Sequence, residues 1–218
     1  MKNKITSQKK DQVINIPIGT LVLPGILVLP PNTKQLVIFT HGSGSGRLSP
    51  RNTFVSQVLQ KAGMGTLLFD LLTEEEDLIY QNRFDIDLIT YRLVMVTRWL
   101  LENIETKSLA FGYFGASTGA AAALEASVRP NTTVKAVVSR GGRPDLAMDI
   151  LEKVNAPTLL IVGGNDEQVI DLNQKAYDQL HCTKKMEIIP GATHLFEEPG
   201  TLEEVAKLAA DWFKKWLK

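Results

Sequence analysis

Three residue types that together perform nucleophilic catalysis occur along the chain in the order serine, aspartate, histidine, each in a glycine-containing segment. Ser117 is the central residue of the pattern GASTG, Asp166 ends the segment GGND, and His194 ends the segment GATH. A serine hydroxyl is a weak nucleophile until a histidine removes its proton, and a carboxylate can hold that histidine in the required tautomer. The chemistry open to this set is acyl transfer from an ester or thioester to water.

The residues around Ser117 predict a tight turn between a strand and a helix. An apolar run ends at Gly115, and small helix-forming residues follow Gly119. In the pattern G-x-S-x-G the serine lies on a strained turn above the sheet, and the helix N-terminus behind it favours developing negative charge. The same small residues also fit simple packing of a helix against its neighbours, so the interpretation depends on the rest of the chain.

Short apolar runs alternate with segments of helical spacing. Strands are predicted near residues 36–40, 65–70, 109–114, 134–139, 158–162 and 186–189, after an antiparallel pair near 13–18 and 20–29. Helices are predicted near residues 52–62, 85–103, 117–128, 145–154, 170–180 and 201–217. This order predicts an α/β fold with a mostly parallel, twisted sheet of about eight strands, an antiparallel N-terminal edge and helices on both faces. Ligands bind at the carboxyl ends of such strands, so the residues that follow each strand are the candidates for a site.

A glycine-rich loop, HGSGSGR, follows the predicted strand 36–40. The backbone N–H of Ser43 is the candidate second donor of an oxyanion hole, beside the N–H of Thr118. We interpret His41 as a structural residue beneath this loop, with general base as its alternative role. Phosphate binding is the alternative function of the loop, although it lacks the Gly-Lys-Ser/Thr ending of a P-loop.

The remaining two members of the candidate triad follow later strands. Asp166 is well placed to accept a hydrogen bond from an imidazole, with Glu167 and Asp171 as substitutes and a helix N-cap as its alternative role. His194 stands on a loop after the last predicted strand and is the candidate general base. The chain order nucleophile, acid, histidine is the one that accompanies G-x-S-x-G turns.

Two arginines follow the predicted strand 134–139, in the segment RGGRPD. Arg140 and Arg143 could hold an anionic group of a substrate, because a guanidinium matches carboxylate and phosphate geometry. Alternatively they pair with Asp145, with Asp166 or with helix-end carbonyls and fix the loop. Candidate walls of a substrate pocket are Leu71, Leu72, Met148 and Phe196.

Composition narrows the possible functions. The chain has 218 residues, of which 44% are hydrophobic, with 24 basic and 24 acidic residues. The equal number of basic and acidic residues predicts no nucleic-acid partner and no membrane association. The single cysteine, Cys182, cannot form an internal disulfide. We expect a polar N-terminal tail over residues 1–12, one domain over 13–218, a cytoplasmic location and a small-molecule ester substrate.

With the HGSGSGR, GASTG, GGND and GATH segments in this order along the sequence, the chain resembles the α/β-hydrolase superfamily from about residue 13 onward. It is most similar to the small, capless dienelactone hydrolase-like group, although those enzymes use a cysteine at the position of Ser117. They also carry an arginine soon after the catalytic histidine, where this chain has LFEE. The resemblance implies a serine esterase or thioesterase that needs no metal or organic cofactor. An acyltransferase, a perhydrolase or a binding protein with a vestigial site are the alternatives.

Overall fold

The structure, a computed structural model, describes residues 10–218, and within that range eight strands form one sheet. The strands are β1 (Lys10–Ile18), β2 (Leu21–Leu29), β3 (Gln35–Thr40), β4 (Gly65–Phe69), β5 (Ala110–Ala116), β6 (Val134–Arg140), β7 (Thr158–Gly163) and β8 (Lys184–Ile189). Their spatial order is β1-β2-β4-β3-β5-β6-β7-β8. β2 is antiparallel to both its neighbours, and the pairs from β4 through β8 are parallel. The predicted fold class is confirmed, including its antiparallel N-terminal edge.

Helices cover both faces of the sheet. They are α1 (Pro50–Lys61), α2 (Glu74–Asp77), α3 (Ile86–Glu102), α4 (Thr118–Ser127), α5 (Glu167–Gln179) and α6 (Thr201–Trp216). Two 3₁₀ segments, Tyr80–Phe84 and Pro144–Lys153, complete the helical elements of the described chain. One apolar core lies beneath α3, α4 and α5, and a second core lies between the opposite face and α1 and α6.

The central strands are buried on both faces because most of their residues are apolar. Every residue of β4 and β7 is buried. Consecutive side chains of a strand point to opposite faces, so Tyr113 of β5 enters the α3–α4 core while Phe114 enters the α1–α6 core. A strand that contributes to two cores cannot carry the polar alternation of a solvent-facing strand.

The structure differs from the sequence prediction in three places. Residues 74–84, for which the sequence predicts no helix or strand, contain α2 and the 3₁₀ segment Tyr80–Phe84. α2 begins at a capping box in which Thr73 and Glu76 each accept from the other's backbone N–H. The helix predicted at 145–154 is 3₁₀, with a kink at Ala147. β1 begins at Lys10, so residues 10–12 belong to the sheet and not to the predicted tail; residues 1–9 lie outside the described range.

Candidate functional site

Ser117 lies at the turn that joins β5 to α4, in a backbone conformation that non-glycine residues rarely adopt. Its φ is 50° and its ψ is −123°. β5 ends one residue before it and α4 begins one residue after it, and its N–H donates to the carbonyl of Arg140 on β6 at 3.2 Å. Such strain persists where the surroundings enforce it, and it is characteristic of a serine presented at the tip of a strand-to-helix turn.

The two glycines of GASTG are enforced by close packing. A Cβ at Gly115 would lie 2.5 Å from the Cα of Ala120, and a Cβ at Gly119 would lie 2.3 Å from the carbonyl oxygen of Thr40. Both distances are far below van der Waals contact, so any side chain would force the first turn of α4 away from β3 and β5. The sequence pattern therefore reflects the approach of the helix to the strands.

Asp166 and His194 come together at the carboxyl ends of β7 and β8. Asp166 occupies the N-cap position of α5, yet its side chain makes no capping hydrogen bond. Instead its Oδ2 lies 2.7 Å from Nδ1 of His194. An imidazole whose Nδ1 donates to a carboxylate presents its Nε2 as a proton acceptor.

The loop that carries His194 lies over the end of β6, beside the Ser117 turn. A Cβ built at Gly141 would lie 3.6 Å from Cε1 of His194. The loop is braced by Glu198, which accepts from the Thr193 N–H at 3.1 Å and from its hydroxyl at 2.7 Å, and these bonds lower the pKa of Glu198. The Ser117 hydroxyl has no hydrogen-bond partner among residues 10–218, so the structure pairs His194 with Asp166 but not with Ser117.

The loop after β3 lies on the other side of Ser117. The N–H of Ser43 donates to Oγ1 of Thr118 at 3.0 Å, a contact that fastens this loop to the first turn of α4. Both predicted oxyanion donors are therefore adjacent in space. The amide of Ser43 donates to the threonine hydroxyl, a contact that no sequence pattern predicts.

His41 is a buried residue with both ring nitrogens engaged. Its Nε2 accepts from the N–H of Leu71 at 3.1 Å, so its Nδ1, 3.0 Å from the carbonyl of Gly42, is the donor. Burial lowers the pKa of His41, with smaller opposing effects from the Gly42 bond and nearby Asp70 and Asp77. These contacts agree with the interpretation of His41 as a structural residue that joins the loops after β3 and β4.

Arg143 forms an ion pair with Asp145, two residues further along the chain. Its Nε and Nη2 each donate to a carboxylate oxygen of Asp145 at 2.8 Å, which also raises the pKa of Arg143. Of the two roles considered for this arginine, the structure contains the pairing that fixes the loop.

Arg140 is buried, and among the described residues no carboxylate pairs with it. The residue is 5% exposed, its Nη2 donates to Oδ1 of Asn52 at 3.5 Å, and its Nε is buried without a partner. The guanidinium lies 5.8 Å from the ring centroid of Phe196, two residues after His194. Burial, and secondarily the charge of Arg51, lower its pKa to about 10. A buried cation without an anion is costly, so Arg140 differs from an ordinary structural arginine.

The residues predicted to line a substrate pocket do not lie together in the structure. Leu71 and Leu72 line a small cavity beside the loop after β3, whereas Phe196 borders a groove of about 470 Å³ on the other side, with Arg51 and Glu197 at its edge. Met148 packs against the α3–α4 core and lines neither. The cavity also holds Asp77 and Arg83, which sequence reasoning missed because their segment has no apolar period.

The described residues contain no group of three or more His, Cys, Asp or Glu side chains placed to hold a metal ion. Nor does any helix within residues 10–218 combine the length and the apolar character that a membrane span requires.

Comparison with known proteins identifies the family of this chain and several structures that are similar to it. A model of the dienelactone hydrolase family matches residues 53–218. The crystal structure of a dienelactone hydrolase from Anabaena variabilis is 52% identical, covers 97% of this chain and 100% of its own, and superposes with a TM-score of 0.93. An esterase from Pyrococcus furiosus, at 19% identity, 97% and 92% coverage and a TM-score of 0.78, shares the fold.

Curated relatives from Mycobacterium tuberculosis carry a different name. A protein of strain H37Rv, named provisionally as a phosphoribosyl transferase, is 55% identical over 204 residues, which are 94% of this chain and 46% of the relative. The chain thus spans about half the length of the curated relatives it matches.

Proposed function

The chain belongs to the dienelactone hydrolase family, and on that premise we propose that it is a serine hydrolase that cleaves a small carboxylic ester or thioester. The observation that carries the proposal is the strained backbone of Ser117 at the β5–α4 turn, with φ at 50°. Strained residues of this kind cluster at active sites, and a serine held between two glycines at a strand-to-helix turn is the arrangement of a catalytic nucleophile.

The proposed reaction begins with attack by Oγ of Ser117 on the carbonyl carbon of the substrate. Nε2 of His194 takes the hydroxyl proton as the new C–O bond forms, and the carbonyl oxygen becomes an oxyanion. Collapse of this intermediate breaks the bond to the alcohol or thiol, which leaves with the proton from His194. Water then attacks the acyl-enzyme, His194 takes its proton and returns it to Ser117, and the carboxylic acid departs.

Asp166 is the proposed orienting acid. Its 2.7 Å contact with Nδ1 of His194 fixes the ring so that Nε2 is the atom left to accept a proton. The carboxylate also stabilises the imidazolium that forms during each half-reaction. We therefore place Asp166, and not Glu167 or Asp171, in the triad.

The N–H groups of Thr118 and Ser43 are the proposed oxyanion donors, each worth roughly 3 kcal/mol in the transition state. The Thr118 amide is at the N-terminus of α4, where the helix dipole also favours negative charge. The Ser43 amide is held close to it by the Thr118 hydroxyl. Because one N–H can be shared between two acceptors, the Ser43 amide can donate to the oxyanion while it keeps this bond.

Arg140 is proposed as a contact for an anionic group on the leaving portion of the substrate. The support is its burial without a carboxylate partner and its place under the His194 loop, the side on which the leaving group must meet its proton donor. Arg143 is not assigned this role because the carboxylate of Asp145 already occupies the Nε–Nη2 edge of its guanidinium.

The name of the mycobacterial relatives is not carried over to this chain. It describes proteins about twice as long, of which the matched part is 46%. The proposed chemistry uses residues within the matched part of this chain and transfers an acyl group, not a phosphoribosyl group.

Hydrolysis of p-nitrophenyl acetate by the wild type and by Ser117→Ala tests the proposal. We expect the variant to lose at least about 10³-fold in kcat, while Ser127→Ala, a serine at the end of α4, keeps wild-type activity. Wild-type hydrolysis by Ser117→Ala would overturn the assignment. Product analysis with added alcohols, thiols or peroxide separates a hydrolase from an acyltransferase or perhydrolase on the same scaffold.

A further inference from the structure

The strained backbone of Ser117 is held from both sides by residues 140–143, at and after the end of β6. The Ser117 N–H donates to the carbonyl of Arg140 at 3.2 Å. The Ser117 carbonyl accepts from the N–H of Arg143 at 3.1 Å, as well as from that of Ala120 in the first turn of α4 at 3.0 Å. A φ of 50° persists at a serine only where the surroundings enforce it. The position of residues 140–143 therefore sets the position of the nucleophile.

The same four residues also contact the loop of the histidine. Gly141, at a φ of +51°, lies so close to that loop that an added Cβ would be 3.1 Å from the carbonyl oxygen of His194 and 3.6 Å from Cε1 of its ring. An added Cβ at Gly142 would lie 2.7 Å from Cβ of Ala120. Residues 140–143 are thus packed between the first turn of α4 and the His194 loop.

A buried side chain of α5 is hydrogen-bonded to this segment. Asn173 is fully buried, on the face of α5 that also carries Val169 and Ala176. Its Nδ2 donates to the carbonyl of Gly142 at 3.0 Å and to the carbonyl of Val169, one turn earlier in the helix, at 2.8 Å. The segment that holds the nucleophile is therefore tied to the helix that begins at Asp166.

An asparagine at this position is costly for the fold. Its Oδ1 is buried and has no hydrogen-bond partner among residues 10–218. A buried polar atom without a partner destabilises a protein, and asparagine is a poor residue for the interior of a helix. An apolar side chain in its place would avoid both costs. What only the asparagine supplies is the bond to Gly142, which couples α5 to the Ser117 turn.

We propose that Asn173 is a positioning residue, which through Gly142 holds the nucleophile in place relative to the pair Asp166 and His194. The proposal rests on the proposed serine hydrolase function. Because α5 carries Asp166 at its N-cap and Asn173 two turns later, one helix sets the position of the acid and, through residues 140–143, that of the serine. Loss of the bond should slow the chemical steps more than it weakens substrate binding, since a misplacement of about 1 Å can cost about 10²-fold in rate.

Asn173→Thr tests the proposal. Threonine has nearly the volume of asparagine, and its hydroxyl can still donate to the Val169 carbonyl one turn earlier, but it is too short to reach Gly142. For p-nitrophenyl acetate we expect kcat to fall at least about tenfold while KM stays within about twofold of the wild type. The rate at which a fluorophosphonate labels Ser117 should fall in parallel with kcat. Should Asn173→Thr fail to fold, Asn173→Ala removes both bonds and is expected to show the same split between kcat and KM.

Thr106→Val is the matched control. Thr106 is also fully buried, and its hydroxyl also donates to a backbone carbonyl, that of Leu100 at 2.6 Å. It precedes β5, at the end of the strand opposite to Ser117, so its loss should lower the urea midpoint but leave kcat and the labelling rate within about twofold of the wild type.

Three results would overturn the positioning role of Asn173. They are a wild-type kcat in the Asn173 variant, a rise in KM with kcat unchanged, and an equal fall of kcat in Thr106→Val. If the wild type does not hydrolyse the ester, or Ser117→Ala hydrolyses it equally well, the proposed function fails instead.

Discussion

The backbone N–H of Ser43 donates a 3.0 Å hydrogen bond to the hydroxyl of Thr118. This bond joins the loop after β3 to the first turn of α4, and so sets the distance between the two amides proposed to bind the oxyanion. It also means that a side chain within the GASTG pattern, and not only its backbone, shapes the site.

Thr118→Val tests the importance of this bond, because valine keeps the shape of threonine but removes the hydroxyl. We expect kcat for p-nitrophenyl acetate to fall at least about tenfold as the Ser43 amide loses its position. Thr118→Ser retains the hydroxyl and should stay within about threefold of the wild type. Equal rates for the valine variant and the wild type would show that the hydrogen bond is incidental to catalysis.

Arg140 is expected to favour anionic leaving groups. The pair 4-carboxyphenyl acetate and 4-carbamoylphenyl acetate has nearly the same shape and differs in charge, and the wild type should prefer the anionic ester. Arg140→Met should lower that preference about tenfold or more, since a hydrogen bond to a charged group contributes roughly 1.5–3 kcal/mol. Arg129→Met, at the exposed end of α4, should leave the preference intact; an equal preference in Arg140→Met would rule out the contact.

Gly119 should tolerate no side chain. A Cβ there would lie 2.3 Å from the carbonyl oxygen of Thr40, so Gly119→Ala is expected to lower the free energy of unfolding by more than about 3 kcal/mol. Gly19→Ala is the matched comparison: at φ +60° with open space around it, it should cost only about 1 kcal/mol of backbone strain. Urea denaturation of both variants measures the difference, and similar losses would contradict the packing account.

His41 should make the fold sensitive to acid. Burial lowers its pKa below the ordinary value of 6.5, so the folded protein binds this proton less readily than the unfolded chain. Its contribution to stability is therefore complete above the unfolded pKa and is lost as the pH falls below it.

His41→Gln removes the titration while keeping an acceptor for the Leu71 N–H. Urea midpoints at pH 7.5 and pH 5 should then fall less in the variant than in the wild type. An equal or larger fall in the variant would show that another group carries the acid sensitivity.

The sheet and most helices were predictable because their hydrophobic patterns are long and regular. The helical elements in residues 74–84 were not predictable, because a polar segment has no hydrophobic periodicity that would indicate a helix. Only the pair Thr73 and Glu76 indicates the start of α2. The apolar spacing predicts a helix over residues 145–154, where the structure has the 3₁₀ segment Pro144–Lys153. A 3₁₀ segment of this length shares enough spacing with an α-helix that the pattern does not separate them.

The candidate site was predictable as far as strand order places residues at one edge of the sheet. The contact of Asp166 with His194 follows from β7 and β8 being adjacent and parallel. The burial of Arg140 and the small cavity lined by Leu71 and Leu72 depend on how loops pack over one another. No local sequence pattern encodes that packing, so these features needed the three-dimensional structure.

The proposed function depends on Ser117 being a reactive nucleophile, and covalent labelling by a fluorophosphonate measures this reactivity most directly. Ser117 Oγ would displace fluoride and form a bond to phosphorus, and peptide mass spectrometry locates the adduct. We expect one adduct per chain, on the peptide that contains Ser117, and none on Ser117→Ala or on wild type first denatured in urea. A native protein that acquires no adduct at Ser117, or an adduct at another residue with Ser117 unmodified, would contradict the central claim.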